Sequence, residues 1–358
     1  MARVCVGLDI GTSAIKVAQL SKVGTSYKLD RVGVAPLPMG AIEGGTVYDV
    51  STVAQAVVRL LRQSRIGCRR VMAAVAGEAV IHRIIRVPLV PRRELDGIVH
   101  WESEKHIPFP LEEAIYDYDI IQEIPETNEQ EILLVAAQRS LIESHVAVLR
   151  AAHLHALAID VQPLALSRAL EPLLSPPGEG GGSNNVAIMD VGAGSTDLAI
   201  FRHGVQRFIR ILPIAGNYFT RAIATRLGVS SEEAETLKRT RGQVPLPDQP
   251  IESAEERELA TAIGGVMAEL TTEIRRSLDY FRLQFREEVA RLIATGGGIT
   301  LRNMATYLAR ELGLSVEIAN PLLQLHPASA NCAPKLLENM GPIFSVAIGL
   351  GLRGVQEW

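Results

Sequence analysis

The sequence predicts an α/β protein built from two lobes, and three observations support that prediction. The chain has 358 residues, which is long enough for two hydrophobic cores. Residues 6–20 (VGLDIGTSAIKVAQL) are echoed by residues 187–201 (AIMDVGAGSTDLAIF) when Asp9 is aligned with Asp190. Between the two copies, residues 174–185 (LSPPGEGGGSNN) have the composition of a flexible connection. An internal repeat of this kind indicates two lobes with similar cores.

The first copy predicts a pair of strands joined by a tight turn. An apolar strand over residues 4–8 leads through a glycine-containing turn into a second strand over residues 14–20. Further strands are predicted at residues 27–36 and 71–75. Between these two, the helical spacing of apolar residues predicts a helix over residues 53–63.

Residues 82–154 have the pattern of a small α+β subdomain. The predicted elements are, in order, a strand (81–87), a helix (94–106), two strands (116–122 and 131–137) and a helix (141–152). The first helix must end near Ile107, because Pro108 and Pro110 lack the N–H groups that a helix needs. Residues 125–129 predict the turn between the two later strands.

The second copy opens the second lobe. The predicted elements are strands at 186–189, 197–201, 292–294 and 316–319, and helices at 219–227, from 232 onward, at 255–285 and at 301–312. Ser230 or Ser231 is expected to cap the helix that begins with Glu232. In the long helical region, Gly264 and Gly265 mark the point at which a break could fall. Residues 244–250 are rich in proline and predict a loop.

Composition narrows the classes of function. The formal net charge of −4 argues against a nucleic-acid-binding surface. Three cysteines far apart in sequence form neither a disulfide framework nor a metal-ligand pattern, and favour a reducing cytoplasm. The apolar stretch at residues 342–352 is shorter than the ~20 residues that a membrane-spanning helix needs. Any association with a membrane is therefore expected to be indirect, through partners.

The two repeats carry the residue types that bind a polyphosphate. A strand–turn–strand with glycine and hydroxyl side chains at its turn offers backbone N–H groups and hydroxyls to phosphate oxygens. Asp9 and Asp190 end the first strand of each repeat, where a carboxylate can hold Mg²⁺ through retained water. Two such turns facing each other would enclose a polyphosphate. Both aspartates could instead cap turns, but their matched positions favour the metal role.

A third glycine-rich turn follows a later strand. Gly296, Gly297 and Gly298 come between a predicted strand and a predicted helix. Consecutive glycines let the backbone pass against a flat base or an α-phosphate. Turns of this composition are common, so this signal gains its value from its position after the second repeat.

Taken together, the three motifs resemble those of the actin-like ATPase superfamily, and the resemblance covers almost the whole chain. It implies that the nucleotide-binding residues are those of the two phosphate loops and the adenosine motif: Gly11, Thr12, Ser13, Gly192, Gly194, Ser195, Thr196, Gly296, Gly297 and Gly298. ATP and Mg²⁺ are the implied cofactors, with Asp9 and Asp190 at the metal.

Three further charged positions have two interpretations each. The superfamily resemblance implies that Glu235 and Lys238 meet the ribose and adenine, whereas their spacing also fits an exposed i,i+3 ion pair. Lys16 is either a cation near the β- or γ-phosphate, as its place beside Ser13 favours, or an outward-pointing strand lysine. Asp197 is expected to be structural.

Within the superfamily, the chain resembles the PilM family of type IV pilus assembly proteins. The resemblance rests on the opening GLDIGTSAIKVAQL (7–20), the helix-ending EKHIPFP (104–110), the ending FSVAIGLGLRG (344–354) and the position of the 82–154 subdomain. It implies an FtsA-like fold, with the N-terminal cytoplasmic segment of the inner-membrane protein PilN as partner. Other inner-membrane pilus assembly proteins and the pilus motor ATPases are further candidates. The implied location is the cytoplasm, at the inner face of the inner membrane.

The predicted organisation divides the chain into seven parts. They are the first lobe core (1–81), the extra subdomain (82–154), the first lobe return and linker (155–185), the second lobe core (186–228), a helical subdomain (229–291), the second lobe return (292–321) and a C-terminal return to the first lobe (322–358).

The leading functional hypothesis is an ATP-binding assembly scaffold whose nucleotide state tunes its hold on PilN, with at most slow ATP hydrolysis. A kinase acting on a sugar or an acetate-type substrate is one alternative, but no general base stands out beyond Asp9 and Asp190. A filament-forming protein like FtsA is the other. FtsA ends in an amphipathic membrane-binding helix, and residues 354–358 do not resemble one.

Overall fold

The computed structural model describes residues 3–174, 185–249, 253–327 and 340–357. The strands are β1 (Arg3–Ile10), β2 (Ala14–Val23), β3 (Ser26–Pro36), β4 (Ile42–Glu43), β5 (Thr46–Val47), β6 (Arg70–Val75), β7 (Val80–Pro88), β8 (Ala114–Ile124), β9 (Glu129–Gln138), β10 (His155–Val161), β11 (Asn185–Val191), β12 (Thr196–Arg202), β13 (Val205–Leu212), β14 (Val289–Thr295), β15 (Ser315–Ile318) and β16 (His326–Pro327). The helices are α1 (Val50–Gln63), α2 (Arg92–His106), α3 (Arg139–Ala151), α4 (Gln162–Ala169), α5 (Glu171–Leu174), α6 (Gly216–Leu227), α7 (Ser231–Arg241), α8 (Ala254–Phe285), α9 (Met304–Leu312) and α10 (Ser345–Glu357).

The first lobe is a six-stranded sheet covered by helices on both faces. Its strand order is β10-β6-β1-β2-β3-β16, with β1 antiparallel to β2 and parallel to β6. Helices α1 and α3 contribute to the apolar cluster on one face, and α4 and α10 to the cluster on the other. Helix α10 packs directly on the backbone of β1. A Cβ at Gly7 would lie 1.8 Å from the carbonyl oxygen of Ala347, so no larger residue fits there.

The second lobe repeats this plan with a five-stranded sheet. Its order is β13-β12-β11-β14-β15, and β11 pairs antiparallel with β12 so that Asp190 lies opposite Asp197. Helices α6, α8 and α9 cover one face of the sheet and form its own apolar core. The other face packs towards the first lobe, where Ile188 and Phe201 join a cluster with Leu166 and Ala347. The predicted repeat of strand–turn–strand is therefore confirmed in both lobes.

The subdomain near residues 82–154 has the predicted order of strand, helix, strand, strand and helix. Its three strands pair in the order β7-β9-β8, and α2 packs on one face of this sheet through Leu95 and Val99. The turn between β8 and β9 closes at Asn128, which adopts a left-handed conformation with φ 55°. Asparagine tolerates that region better than most residues, which suits it to this turn.

Two features of the second lobe differ from the prediction. Helix α8 runs for 32 residues without the break that was predicted at Gly264 and Gly265. Burial of its apolar stripe, including Ile263 and Met267, outweighs the low helix propensity of glycine. Strand β13 was not predicted, since Arg207 and Arg210 interrupt its apolar pattern; both are paired by acidic residues of neighbouring elements.

Other expectations concern ends and connections. Ser230 is the residue that caps α7, where its side chain accepts from the N–H of Glu233 at 3.2 Å. Of the predicted linker, residues 175–184 lie outside the described residues, as does Cys332. Within the described ranges, no helix combines the length and the hydropathy needed to cross a bilayer.

Candidate functional site

A cavity of about 380 Å³ lies between the two lobes, within the range of small-molecule sites (roughly 300–1,000 Å³). The turns of both repeats form its walls. Eleven of the fifteen residues predicted from the sequence line it: Asp9, Gly11, Thr12, Ser13, Lys16, Asp190, Gly192, Gly194, Ser195, Gly296 and Gly297. Residues more than 280 positions apart in sequence thus meet in one site.

The two turns approach each other closely. A Cβ placed on Gly194 would lie 2.7 Å from the Oγ1 of Thr12, so the backbone of the second turn nearly touches a side chain of the first. At Gly192, a Cβ would lie 2.9 Å from the carbonyl oxygen of Ser195. The close packing of the turns therefore favours glycine at both positions.

Backbone donors are available at both turns. The N–H of Gly11 donates to the carbonyl of Ala14 at 3.1 Å, and that of Gly192 donates to the carbonyl of Ser195 at 2.9 Å, which closes each hairpin. Within the part of the chain that the structure describes, the N–H groups of Thr12, Ser13, Ala193 and Gly194 donate to no protein acceptor. All four residues line the cavity. Such donors suit an anionic ligand.

The first turn holds an ion pair. The Nζ of Lys16 lies 3.0 Å from the Oδ2 of Asp9, and the two residues lie opposite each other in the β1–β2 register. The side chain of Asp9 is buried and that of Lys16 is mostly buried. The negative charge of this turn is thus already balanced by the protein.

The second turn carries two acidic groups, of which Asp197 is buried and Asp190 is half-buried. Neither forms an ion pair with a residue that the structure describes. Burial raises the pKa of Asp190 to about 7; the charges of Asp197 and Asp9 raise it too, while Lys16 opposes them. Burial likewise raises the pKa of Asp197 to about 6, although a hydrogen bond donated by Ser195 at 3.2 Å lowers it. Carboxylates in this state attract a cation, because a nearby positive charge restores their ionised form.

The glycine-rich turn after β14 meets the base of the second turn. Gly296 has φ +88°, a conformation that favours glycine, and a Cβ there would lie 2.1 Å from the Oδ1 of Asp190. Its N–H donates to the carbonyl of Pro342, just before α10. The Thr295 and Ser345 hydroxyls are 2.6 Å apart and buried. This turn is therefore fixed against the start of α10, whose first residue lines the cavity.

Four predicted residues lie outside the cavity lining. The Oγ1 of Thr196 donates to the carbonyl of Ile214 at 2.6 Å and is buried. Gly298 packs against the side chain of Val191, which a Cβ would approach to 2.3 Å. These two residues support the turns from behind. Glu235 and Lys238 are the other two, and both belong to α7.

Glu235 and Lys238 form the i,i+3 ion pair that their spacing predicts, but this pair is partly buried and not exposed. Their charged atoms are 2.6 Å apart, and Lys238 also donates to the carbonyl of Gly216 at 2.8 Å. Burial raises the pKa of Glu235, but hydrogen bonds from Lys238, Thr220 and Arg239 outweigh it and lower the pKa to about 2. Because Gly216 donates to the carbonyl of Gly192, the pair buttresses the second turn. Its contact with a ribose or adenine stays a prediction.

The residues present fit a magnesium ion held mostly through water. Among the described residues, no cluster of three or more His, Cys, Asp or Glu side chains has the geometry of a metal site. Mg²⁺ does not require one, because it keeps several waters and binds one or two carboxylates together with phosphates. Asp9 and Asp190 line the same cavity and are close enough for their charges to interact. Their role at a metal stays a prediction.

Several lining residues were missed by the sequence reasoning. Arg221 of α6 lines the cavity, is exposed and lies over the ring of Tyr218, 5.4 Å from its centroid. No carboxylate pairs with it within the described ranges. Gln162, Glu78 and His145 line the first-lobe side. Of these residues, only Gln162 has a position that could have indicated a binding role. It begins α4 directly after β10, and binding residues in α/β folds often follow the end of a strand.

Two lobes with matched hairpins around one cleft define the actin-like ATPase fold. The solved structure of MreB5 from Spiroplasma citri bound to AMPPNP shares this fold, with a TM-score of 0.52, 14% identity, and coverage of 90% of this chain and 94% of that one. The cell division protein FtsA of Pseudomonas aeruginosa is 25% identical, and the alignment spans 99% of this chain and 90% of FtsA.

The particular family follows from two further comparisons. The family model "Type IV pilus assembly protein PilM" matches residues 7–355. A solved structure described as a PilM–PilN type IV pilus biogenesis complex contains a chain with a TM-score of 0.87 and 32% identity, and the match covers 98% of both chains. The chain therefore belongs to the PilM family of type IV pilus assembly proteins.

Proposed function

We propose that the chain binds ATP with Mg²⁺ between its lobes and acts as a scaffold of type IV pilus assembly. The observation that carries the proposal is the meeting of the two turns, with a Cβ on Gly194 lying 2.7 Å from Thr12 Oγ1 across one cavity. N–H groups on both turns that have no acceptor among the described residues provide the donors that a triphosphate needs.

Each wall of the cavity has a proposed role. Thr12, Ser13, Gly194 and Ser195 would donate to phosphate oxygens from opposite sides. Asp9 and Asp190 would hold the Mg²⁺ ion through its water, and the ion would neutralise part of the phosphate charge. Gly296 and Gly297 would pass against the adenosine. The residues of the ion pair Glu235–Lys238 would contact the ribose and adenine after a side-chain rearrangement.

Arg221 is proposed as an additional phosphate ligand. Lys16 is committed to Asp9 at 3.0 Å, whereas Arg221 lines the cavity without a carboxylate partner in the described ranges. A guanidinium group in this position would add charge-assisted hydrogen bonds to phosphate oxygens.

The proposed partner is the N-terminal cytoplasmic segment of PilN. The support is the 0.87 TM-score match to a chain of a PilM–PilN complex. Through PilN, the chain would be recruited from the cytoplasm to the inner face of the inner membrane. Other inner-membrane pilus assembly proteins and the pilus motor ATPases are candidate further partners. The seven-part division of the chain is proposed from the sequence pattern and the order of strands and helices.

Nucleotide and partner are proposed to be coupled. ATP contacting both lobes would fix the angle between them, and that angle would set the affinity for the PilN segment. Thermodynamic linkage then requires the peptide to change the affinity for ATP by the same factor.

A titration of the full chain with the N-terminal PilN peptide tests this function. Calorimetry with and without Mg²⁺-ATP measures both affinities. The expected result is one ATP bound per chain and a peptide affinity that differs between the two conditions by about 5-fold or more, the lower range of typical couplings. A scrambled peptide is the control. Equal peptide affinity in both conditions contradicts the coupling, and absence of ATP binding contradicts the site.

A further inference from the structure

The three-stranded sheet β7-β9-β8 contacts both lobes through one face of β9. Val135 and Ala137 pack in a cluster with Val75 and Val161 of the first lobe. Side chains alternate along a strand, so Glu131 points to the same side of β9. It lies six residues before Ala137, a separation of about 20 Å. At that distance Glu131 reaches the second lobe.

Glu131 is a buried carboxylate that receives three donors. The Nε of Arg86 lies 3.2 Å away and the Nε2 of Gln122 lies 2.9 Å away, both from the strands that flank β9. The third donor is Nη1 of Arg207 in β13 of the second lobe, at 2.5 Å. Burial raises the pKa of Glu131, but the hydrogen bonds and charges of Arg207 and Arg86 outweigh it and hold the pKa below its ordinary value. The carboxylate is therefore ionised when it meets Arg207.

Strand β13 connects this contact to the nucleotide cavity. Ile211, which lines the cavity, lies four residues beyond Arg207 on the same strand, about 13 Å away. The register with β12 shifts at Arg207, and Ile209, between the two residues, packs on the cluster that contains first-lobe side chains. Arg210 donates to Glu273 of α8 at 2.7 Å. Strand β13 thus runs from the contact with the three-stranded sheet to the cavity, while Arg210 binds α8 within the second lobe.

The two anchors of the sheet differ in kind. Two apolar clusters contain residues of the three-stranded sheet. Among the described residues, these clusters include side chains of the first lobe but none of the second lobe. Apolar contacts are non-directional and persist through small rotations. A hydrogen-bonded ion pair depends on distance and angle. A change of angle between the lobes would therefore break the contact with Arg207 before it disturbs the packing on the first lobe. Among the described residues, the buried Nε of Arg207 has no acceptor, and an unpaired buried donor costs free energy that another position of the side chain could recover.

We propose that the Glu131–Arg207 ion pair transmits the position of the second lobe to the three-stranded sheet, so that nucleotide binding in the cavity changes how this sheet is held. The inference rests on the proposed nucleotide function. It assigns Arg207 and Glu131 as positioning residues that touch neither nucleotide nor metal.

Hydrogen–deuterium exchange of the full chain, with and without Mg²⁺-ATP, tests the inference. In the wild-type protein, nucleotide is expected to slow exchange at residues 192–195 and also to shift exchange at residues 129–133, which line no part of the cavity. Arg207→Gln and Glu131→Gln remove the ion pair from either side. Each is expected to keep the first effect and to lose the second. Arg210→Gln is the matched control on the same strand and is expected to keep both.

Three outcomes would overturn the inference while leaving the nucleotide site intact. The first is a shift at residues 129–133 that persists in both ion-pair variants, and the second is a shift that is lost in Arg210→Gln as well. The third is a wild-type protein with protection at residues 192–195 and no shift at the sheet. Absence of protection at residues 192–195 in the wild type contradicts the proposed nucleotide site itself, and the inference falls with it. Circular dichroism establishes that each variant is folded, and the two ion-pair variants substitute for each other if one is not.

Discussion

The two hairpin turns of the cavity share a backbone plan but differ in charge balance. Asp9 in the first turn is paired with Lys16 at 3.0 Å. At the equivalent position of Lys16, the second repeat has Asp197, which faces Asp190 across the β11–β12 register. An ion pair in one hairpin is therefore replaced by one buried and one half-buried carboxyl group in the other.

This difference indicates which turn has a charge that a bound cation could balance. The first turn is electrostatically complete within the protein, whereas the second turn bears carboxyl groups with pKa values raised to about 7 and about 6. A bound cation would lower both. The two repeats thus share one geometry, and Asp197, at the position of Lys16, raises the pKa of Asp190. We therefore expect the second turn to be sensitive to metal and to pH.

Blocking the contact between the turns is expected to have the largest effect. Gly194→Val places a branched side chain where a Cβ is already 2.7 Å from Thr12 Oγ1. The turns must separate, so the dissociation constant for Mg²⁺-ATP is expected to rise about 100-fold, or ~2.7 kcal/mol. Fluorescence titration with a labelled ATP analogue measures it.

Gly265→Ala is the control for that substitution. Its Cβ meets nothing within 4 Å, in the middle of α8. ATP affinity is expected to be unchanged, and the free energy of unfolding is expected to rise by roughly 0.5–1 kcal/mol, because alanine favours a helix over glycine. An equal loss of ATP affinity in both variants would show that the effect of Gly194→Val is not local.

Removing one carboxyl from each turn is expected to change stability in opposite directions. The stability associated with Asp190 is full below its unfolded pKa of 3.8 and is lost as the pH rises through about 7, because the folded state holds the proton more tightly. Asp190→Asn is thus expected to raise the free energy of unfolding at pH 8 by on the order of 2 kcal/mol, and not at pH 3. Asp9→Asn is expected to lower it by a similar amount, about 2 kcal/mol, since Lys16 loses its partner.

Urea unfolding at pH 3, 6 and 8 without nucleotide measures both effects. Both variants are also expected to weaken the dependence of ATP binding on Mg²⁺. If both variants lost stability at pH 8, the proposed difference in charge balance between the two turns would be contradicted.

Arg221 is expected to produce the smallest of these effects. It adds charge to a site whose main donors are backbone groups, so Arg221→Gln is expected to weaken ATP about 10-fold, ~1.4 kcal/mol, and AMP less. Arg221→Lys, which keeps the charge but not the fork of donors, is expected to fall between. Competition titrations with ATP and AMP measure the difference, and equal weakening of both nucleotides would place Arg221 away from the distal phosphates.

Local patterns in the sequence predicted most of the fold and the backbone of the site. The repeated strand–turn–strand placed Asp9 and Asp190 in one cavity because equivalent turns of two similar lobes face each other. Helix periodicity and proline positions gave the extra subdomain. These features depend on residues close together in sequence, where propensity and pattern act.

Features set by tertiary contacts were not predicted. Strand β13 was missed because the partners of Arg207 and Arg210 lie on other elements, and the continuity of α8 through Gly264 depends on packing. Arg221 and His145 reach the cavity from helices whose sequences carry no binding motif. The spacing of Glu235 and Lys238 predicted their ion pair. It did not predict that the pair lies beside the cavity and outside its wall.

A crystal structure of the chain with Mg²⁺ and a non-hydrolysable ATP analogue tests the central claim most directly. The predicted result is one triphosphate with oxygens about 3 Å from the backbone nitrogens of both Ser13 and Gly194. A nucleotide held by one turn alone, or bound outside the cleft, would contradict it.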